Sequence, residues 1–88
     1  MIGICGNEKA SDAVVTVNLD SKGRKIEIKS KLKKMFGSLM EKAVIEILDE
    51  LKIENIDVKV EDFGALDFII KARTKTAIRR TKNAGGIN

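Results

Sequence analysis

The chain has no histidine, tryptophan, tyrosine or proline, and only one cysteine and three phenylalanines among its 88 residues. Without histidine, the commonest general base and metal ligand is missing. The lone thiol, Cys5, therefore has no imidazole to activate it, which argues against a self-contained nucleophilic or metal enzyme. One cysteine cannot build a disulfide framework, and that suits a reducing compartment. No apolar run approaches the roughly 18 residues of a membrane span. The opening Met1-Ile2-Gly3-Ile4-Cys5-Gly6 is too short and uncharged for a secretory signal, so the cytoplasm is the expected location.

What remains is an ordinary small globular composition, 43% hydrophobic and 34% charged. The length fits one domain over residues 1–88 with a thin stability margin. The apolar residues are periodic rather than sparse, which excludes disorder. The net charge of +4 is local. Lys71, Arg73, Lys75, Arg79, Arg80 and Lys82 fall in a stretch without acids, and the remaining basic residues are outnumbered by the acids elsewhere.

Residues 1–12 read as a flexible loop, because Gly3 and Gly6 break any period. Over 13–19, Val15, Val17 and Leu19 alternate with Thr16 and Asn18, the pattern of a strand. Asp20-Ser21-Lys22-Gly23 is a turn, and Lys25–Lys29 alternates as a second strand with Ile26 and Ile28 inward. A hairpin between these two strands is expected. Leu32, Phe36, Met40, Ala43, Val44, Ile47, Leu48 and Leu51 then form a helical stripe. Either Ser30 caps this helix, or a turn over 31–36 leads into a helix at 38–52 opened by the box Ser38-Leu39-Met40-Glu41. Ile56, Val58 and Val60 mark a third strand, and Gly64 suits the turn that follows. From Leu66 the spacing is helical again through Ile69, Ile70, Arg73 and Ala77, with Asp67 in the first turn. Residues 83–88 read as a frayed tail. The expected fold is α+β in two layers: a three-stranded sheet with two helices on one face, in the order β-β-α-β-α.

Three segments carry a family resemblance. Val60-Glu61-Asp62-Phe63-Gly64-Ala65-Leu66-Asp67, running into Lys71-Ala72-Arg73 and Ala77, resembles a V-x-D-x-G-A-L-D segment followed by I-x-A-R. Phe36-Gly37 resembles a K-x-F-G segment, and Ser11-Asp12 resembles the end of G-x-x-x-S-[GS]-D. Together they resemble the citrate lyase acyl carrier protein (gamma subunit) family over roughly Gly6 to Arg80, and more distantly the malonate decarboxylase acyl carrier protein. The resemblance implies a non-catalytic carrier subunit bearing 2'-(5''-phosphoribosyl)-3'-dephospho-CoA on a serine through a phosphodiester. It implies an acyl-transferase (alpha) subunit that exchanges acetyl for citryl on the arm's thiol, a lyase (beta) subunit, and a modifying transferase that attaches the arm. The carrier's role is then to be recognised and to hold the thioester at high local concentration.

The sequence departs from that pattern at the attachment point. The family's serine falls on Ala10, which has no hydroxyl, and Ser11 stands beside it. Either Ser11 carries the arm, or the chain carries none and serves as an unmodified adaptor. Asp12 and Arg73 complete the candidate cofactor site. Arg73 falls on the buried stripe of the last helix, where a charge needs an acid or a phosphate; Asp12 and the arm are candidates, and a head group in water is the alternative. Ser11 and Asp12 also suit a plain turn. Lys31, Lys33 and Lys34 fit a docking patch or simply solvated lysines. The rival function is a nucleic-acid-binding module using the basic terminal helix. Against it, Phe36, Phe63 and Phe68 sit at core-like positions and offer no stacking platform.

Overall fold

The periodic apolar residues resolve into four strands and two helices in the computed structural model, which describes residues 1–83. In chain order these are β1 (Ile2–Gly6), β2 (Ala13–Asn18), β3 (Arg24–Lys29), α1 (Lys33–Glu50), β4 (Ile56–Asp62) and α2 (Asp67–Asn83). The class is α+β with two layers, but the sheet has four strands in the order β1-β2-β4-β3. Of the tail expected over residues 83–88, Asn83 instead closes α2, and the rest lies outside the described residues.

The extra strand is β1, in the stretch expected to be a loop. Its alternation is inverted: Gly3 and Cys5 face the core, while Ile2 and Ile4 face outward. The reason is close approach. A Cβ on Gly3 would lie 2.0 Å from the Ala77 carbonyl oxygen of α2, so the inward position cannot hold a side chain. A pattern built on large inward residues cannot detect such a strand.

The hairpin expected between the second and third sequence strands does not form. β4 occupies the slot between β2 and β3, antiparallel to β2 and parallel to β3. Ile56, Val58 and Val60 are almost completely buried, as a central strand requires, whereas β3 buries only Ile28 and lies at the edge. Gly23 fixes the start of this pairing. Its carbonyl accepts from the Ile56 amide at 2.9 Å, and its amide donates to Asn55 Oδ1 at 2.8 Å.

Register sets the core in rows. Cys5, Val15, Val60 and Ile28 form one row across the sheet, and Gly3, Val17, Val58 and Ile26 the next. Both helices cover this face. α1 contributes Met40, Ala43, Val44, Ile47 and Leu48, and α2 contributes Ile70, Ala77 and Ile78. Two buried threonines were not expected in α2. Thr74 Oγ1 donates to the Ile70 carbonyl at 2.7 Å, and Thr81 Oγ1 to that of Ile78 at 2.6 Å, so each hydroxyl is satisfied within its own helix.

α1 begins at Lys33, earlier than the expected 38–52, and Gly37 is held inside it. Ser30 does not cap it as an N-cap; its Oγ accepts from the Leu32 amide at 3.0 Å just ahead of the helix. The early turns also fail to pack as the stripe suggested, for Leu32 and Phe36 are exposed, and so is Leu51 at the far end. Leu66 ahead of α2 is likewise exposed. The two helices run parallel, tied by the ion pairs Glu46–Lys71 and Glu50–Lys75.

Candidate functional site

Because β3 and β4 are parallel, both helices start at one end of the molecule, and the β1–β2 connection, residues 7–12, lies at that same end. Ser11 sits in this connection. Its amide donates to the Phe63 carbonyl at 2.8 Å, and the Phe63 amide donates to the Asp12 carbonyl at 2.9 Å. The Asp12 amide in turn donates to the Lys9 carbonyl at 3.0 Å. Ser11 is held at φ 69°, a left-handed conformation that costs a non-glycine residue about 1–2 kcal/mol. It is exposed, and no hydrogen bond among the described residues engages its hydroxyl. Ala10 beside it is exposed too.

Asp12 is the anchor of the loop. Arg73 grips it with two bonds, Nε to Oδ1 at 3.0 Å and Nη2 to Oδ2 at 2.9 Å. The Ala13 amide donates to Oδ1 at 2.7 Å, and Asn7 Nδ2 to Oδ2 at 3.3 Å. The Arg73 guanidinium and then the Ala13 amide hold the Asp12 carboxyl down at about 2. The carboxylate in turn raises Arg73 further above its ordinary value, with the Cys5 thiol contributing through Nη1 at 3.9 Å. Of the candidate residues, the structure therefore joins Asp12 to Arg73 and places Ser11 next in the chain. Arg73 meets an acid of its own chain, and its side chain stays about one-third exposed.

Sequence reasoning missed a second polar knot beside this loop. Asp62 is buried at the end of β4; its Oδ2 accepts from Ser30 Oγ at 2.8 Å and its Oδ1 from the Ala65 amide at 2.8 Å. It thereby ties the β3–α1 junction to the β4–α2 turn. One signal was present in the sequence: Asp62 continues the inward phase of Ile56, Val58 and Val60, where an acid must find donors. Between these two junctions lies a cleft of about 680 Å³ lined by Ala10, Lys29, Lys31, Leu32, Phe63 and Gly64, among others.

The basic C-terminal stretch is largely engaged within the fold. Lys71 pairs with Glu46, which raises its pKa, Lys75 pairs with Glu50, and Arg73 pairs with Asp12. Arg80 Nη1 donates to the Ile4 carbonyl at 2.8 Å. The aromatic expectation needs correcting, since Phe36 is 39% and Phe68 59% exposed. Together with Met35, Leu39 and Leu66 they leave apolar surface open around the starts of the two helices.

The family model described as ACP, malonate decarboxylase delta subunit (MdcD), matches residues 2–81. A protein of Fusobacterium nucleatum named citrate lyase acyl carrier protein is 41% identical over 80 residues, covering 90% of this chain and 85% of its own. Proteins of the same name from Halothermothrix orenii and Treponema denticola are each 39% identical. They cover 85% and 88% of this chain, and 80% and 87% of their own lengths. The chain belongs to the citrate lyase acyl carrier protein family. The matched span runs from β1 through nearly all of α2, so family membership covers the Ser11 loop, the Asp12–Arg73 pair and the Asp62 knot together.

Proposed function

We propose that this chain is the acyl carrier subunit of a citrate lyase-like complex, with Ser11 bearing a phosphoribosyl-dephospho-CoA arm through a phosphodiester. The observation that carries the reading is Ser11 itself: an exposed hydroxyl, without a hydrogen-bond partner among the described residues, on a backbone pinned from both sides by Phe63 and Asp12. The group fits the site. Ser11 supplies the oxygen that Ala10 lacks, its exposure leaves room for a modifying transferase, and the adjoining cleft offers space beside the attachment point. When bound, the arm supplies a thiol for acetyl and citryl thioesters.

The chain's own residues position and present. Arg73 and Asp12 fix the loop on α2, and Asp62 fixes the opposing turn. Breaking and forming acyl bonds belongs to the transferase and lyase subunits, since this sequence holds no histidine and its one thiol is buried. The exposed apolar side chains at the Ser11 end, flanked by Lys31, Lys33 and Lys34, suit a subunit that must be recognised by several partners. A cytoplasmic location follows from the same reading, and no described helix is long and apolar enough to cross a membrane.

Ala10 favours a second reading, an unmodified adaptor in the same complex. The Ser11→Ala variant separates the two. In a complex rebuilt from purified subunits and the modifying transferase, a carrier loses turnover while still assembling. An adaptor assembles and retains turnover, which would overturn the proposal.

A further inference from the structure

We propose that the cleft between the β3–α1 junction and the β4–α2 turn is a resting site for the nucleotide portion of the Ser11 arm. This rests on the carrier reading above. The cleft of about 680 Å³ falls within the roughly 300–1,000 Å³ typical of small-molecule sites. Its apolar lining comes from Ala10, Leu32 and Phe63, which suits the faces of a base and a ribose.

The walls are fixed rather than incidental. Asp62 holds both of them, bonded to Ser30 Oγ on one side and to the Ala65 amide on the other. With both oxygens hydrogen-bonded and the residue only 8% exposed, Asp62 braces the two walls. Two cations, Lys29 and Lys31, line the cleft together with the Glu61 carboxylate. Lys29 makes only a long 4.0 Å contact with Glu61 and its side chain is 80% exposed. Lys31 is exposed and has no ion pair among the described residues.

Ser11 lies next to Ala10 in the lining, its amide bonds to Phe63 of the lining, and a Cβ on Gly64 would be 3.7 Å from the Ser11 nitrogen. An arm starting at Ser11 starts at the rim. A short tether supplies an effective concentration in the millimolar range, so a site too weak to capture free nucleotide becomes occupied by a tethered one. The nucleotide then rests on the protein while the thiol end stays outside for the partner subunits.

The test uses unmodified protein and free dephospho-CoA as the probe, followed by amide NMR shifts up to about 10 mM, the upper range a short tether supplies. Saturable shifts centred on Ala10, Lys31, Leu32, Phe63 and Gly64 are expected. Lys31→Glu, a change at an exposed side chain, should weaken the binding about fivefold or more. Absent shifts, shifts centred on another surface, or shifts indifferent to Lys31→Glu overturn the proposal. Intact mass of the native protein separately reports whether Ser11 is modified, so failure of the cleft and failure of the carrier reading are told apart.

Discussion

At the scale of single residues, Ser11 and Asp12 have opposite characters. Ser11 is exposed and strained, so glycine should be accommodated better than serine. Ser11→Gly is expected to stabilise the fold by up to about 1 kcal/mol in denaturant unfolding, while Ser11→Val should destabilise it by a similar amount, because a β-branched residue resists positive φ. Equal stabilities would show that the conformation is not imposed on the loop. Asp12 is 15% exposed and doubly bonded to Arg73. Its carboxyl is held below its unfolded value, so its stabilising effect is complete above about pH 4 and is lost as pH falls towards about 2. In Arg73→Gln the Asp12 carboxyl should titrate clearly above about 2 by NMR, moving towards the ordinary carboxylate range while the Ala13 amide still holds it below, and the acid end of the stability profile should flatten. A titration still centred near 2 would mean that the backbone amide, not Arg73, sets it. The sequence placed Arg73 on a helix face needing a partner and offered Asp12 as one. It could not show that Ser11 is left-handed, because only the closure of the loop onto Phe63 produces that geometry.

At the scale of elements, periodicity succeeded where large side chains point inward and failed where they do not. β2, β4 and most of both helices were legible from valine, isoleucine and leucine spacing. β1 was hidden because its inward positions are Gly3 and Cys5, chosen by the closeness of α2. Gly3→Ala should therefore cost about 1–3 kcal/mol by forcing β1 away from Ala77, even though alanine is unremarkable in most strands. A neutral result in thermal unfolding would contradict the close approach. The first turns of α1 mislead in the opposite sense, since their stripe continues the core pattern but stays in solvent. Met35→Lys, at 73% exposed, should change stability by less than about 0.5 kcal/mol, whereas Leu48→Ala, fully buried one helix face away, should cost about 2–5 kcal/mol. A large loss in Met35→Lys would place that side chain in a packed environment.

At the scale of the whole molecule, the strand order explains why the candidate site gathers at one end of the fold. Inserting β4 between β2 and β3 brings the β1–β2 loop, the β3–α1 junction and the β4–α2 turn together, and the polar ties of Asp12 and Asp62 hold all three. Local patterning could not reveal this arrangement, because a hairpin of neighbouring strands explains the same alternation. The Gly64-Ala65-Leu66-Asp67 segment was legible as a family mark, and its place opposite Ser11 emerges only from the fold.

The central claim is that Ser11 carries the arm, and the most direct measurement is the intact mass of the protein isolated from its native host, with peptide mapping of residues 1–22. A mass increase matching the phosphoribosyl-dephospho-CoA group, mapped to Ser11, is the expected result. An unmodified mass in a chain recovered from an active lyase complex would contradict it and leave the adaptor.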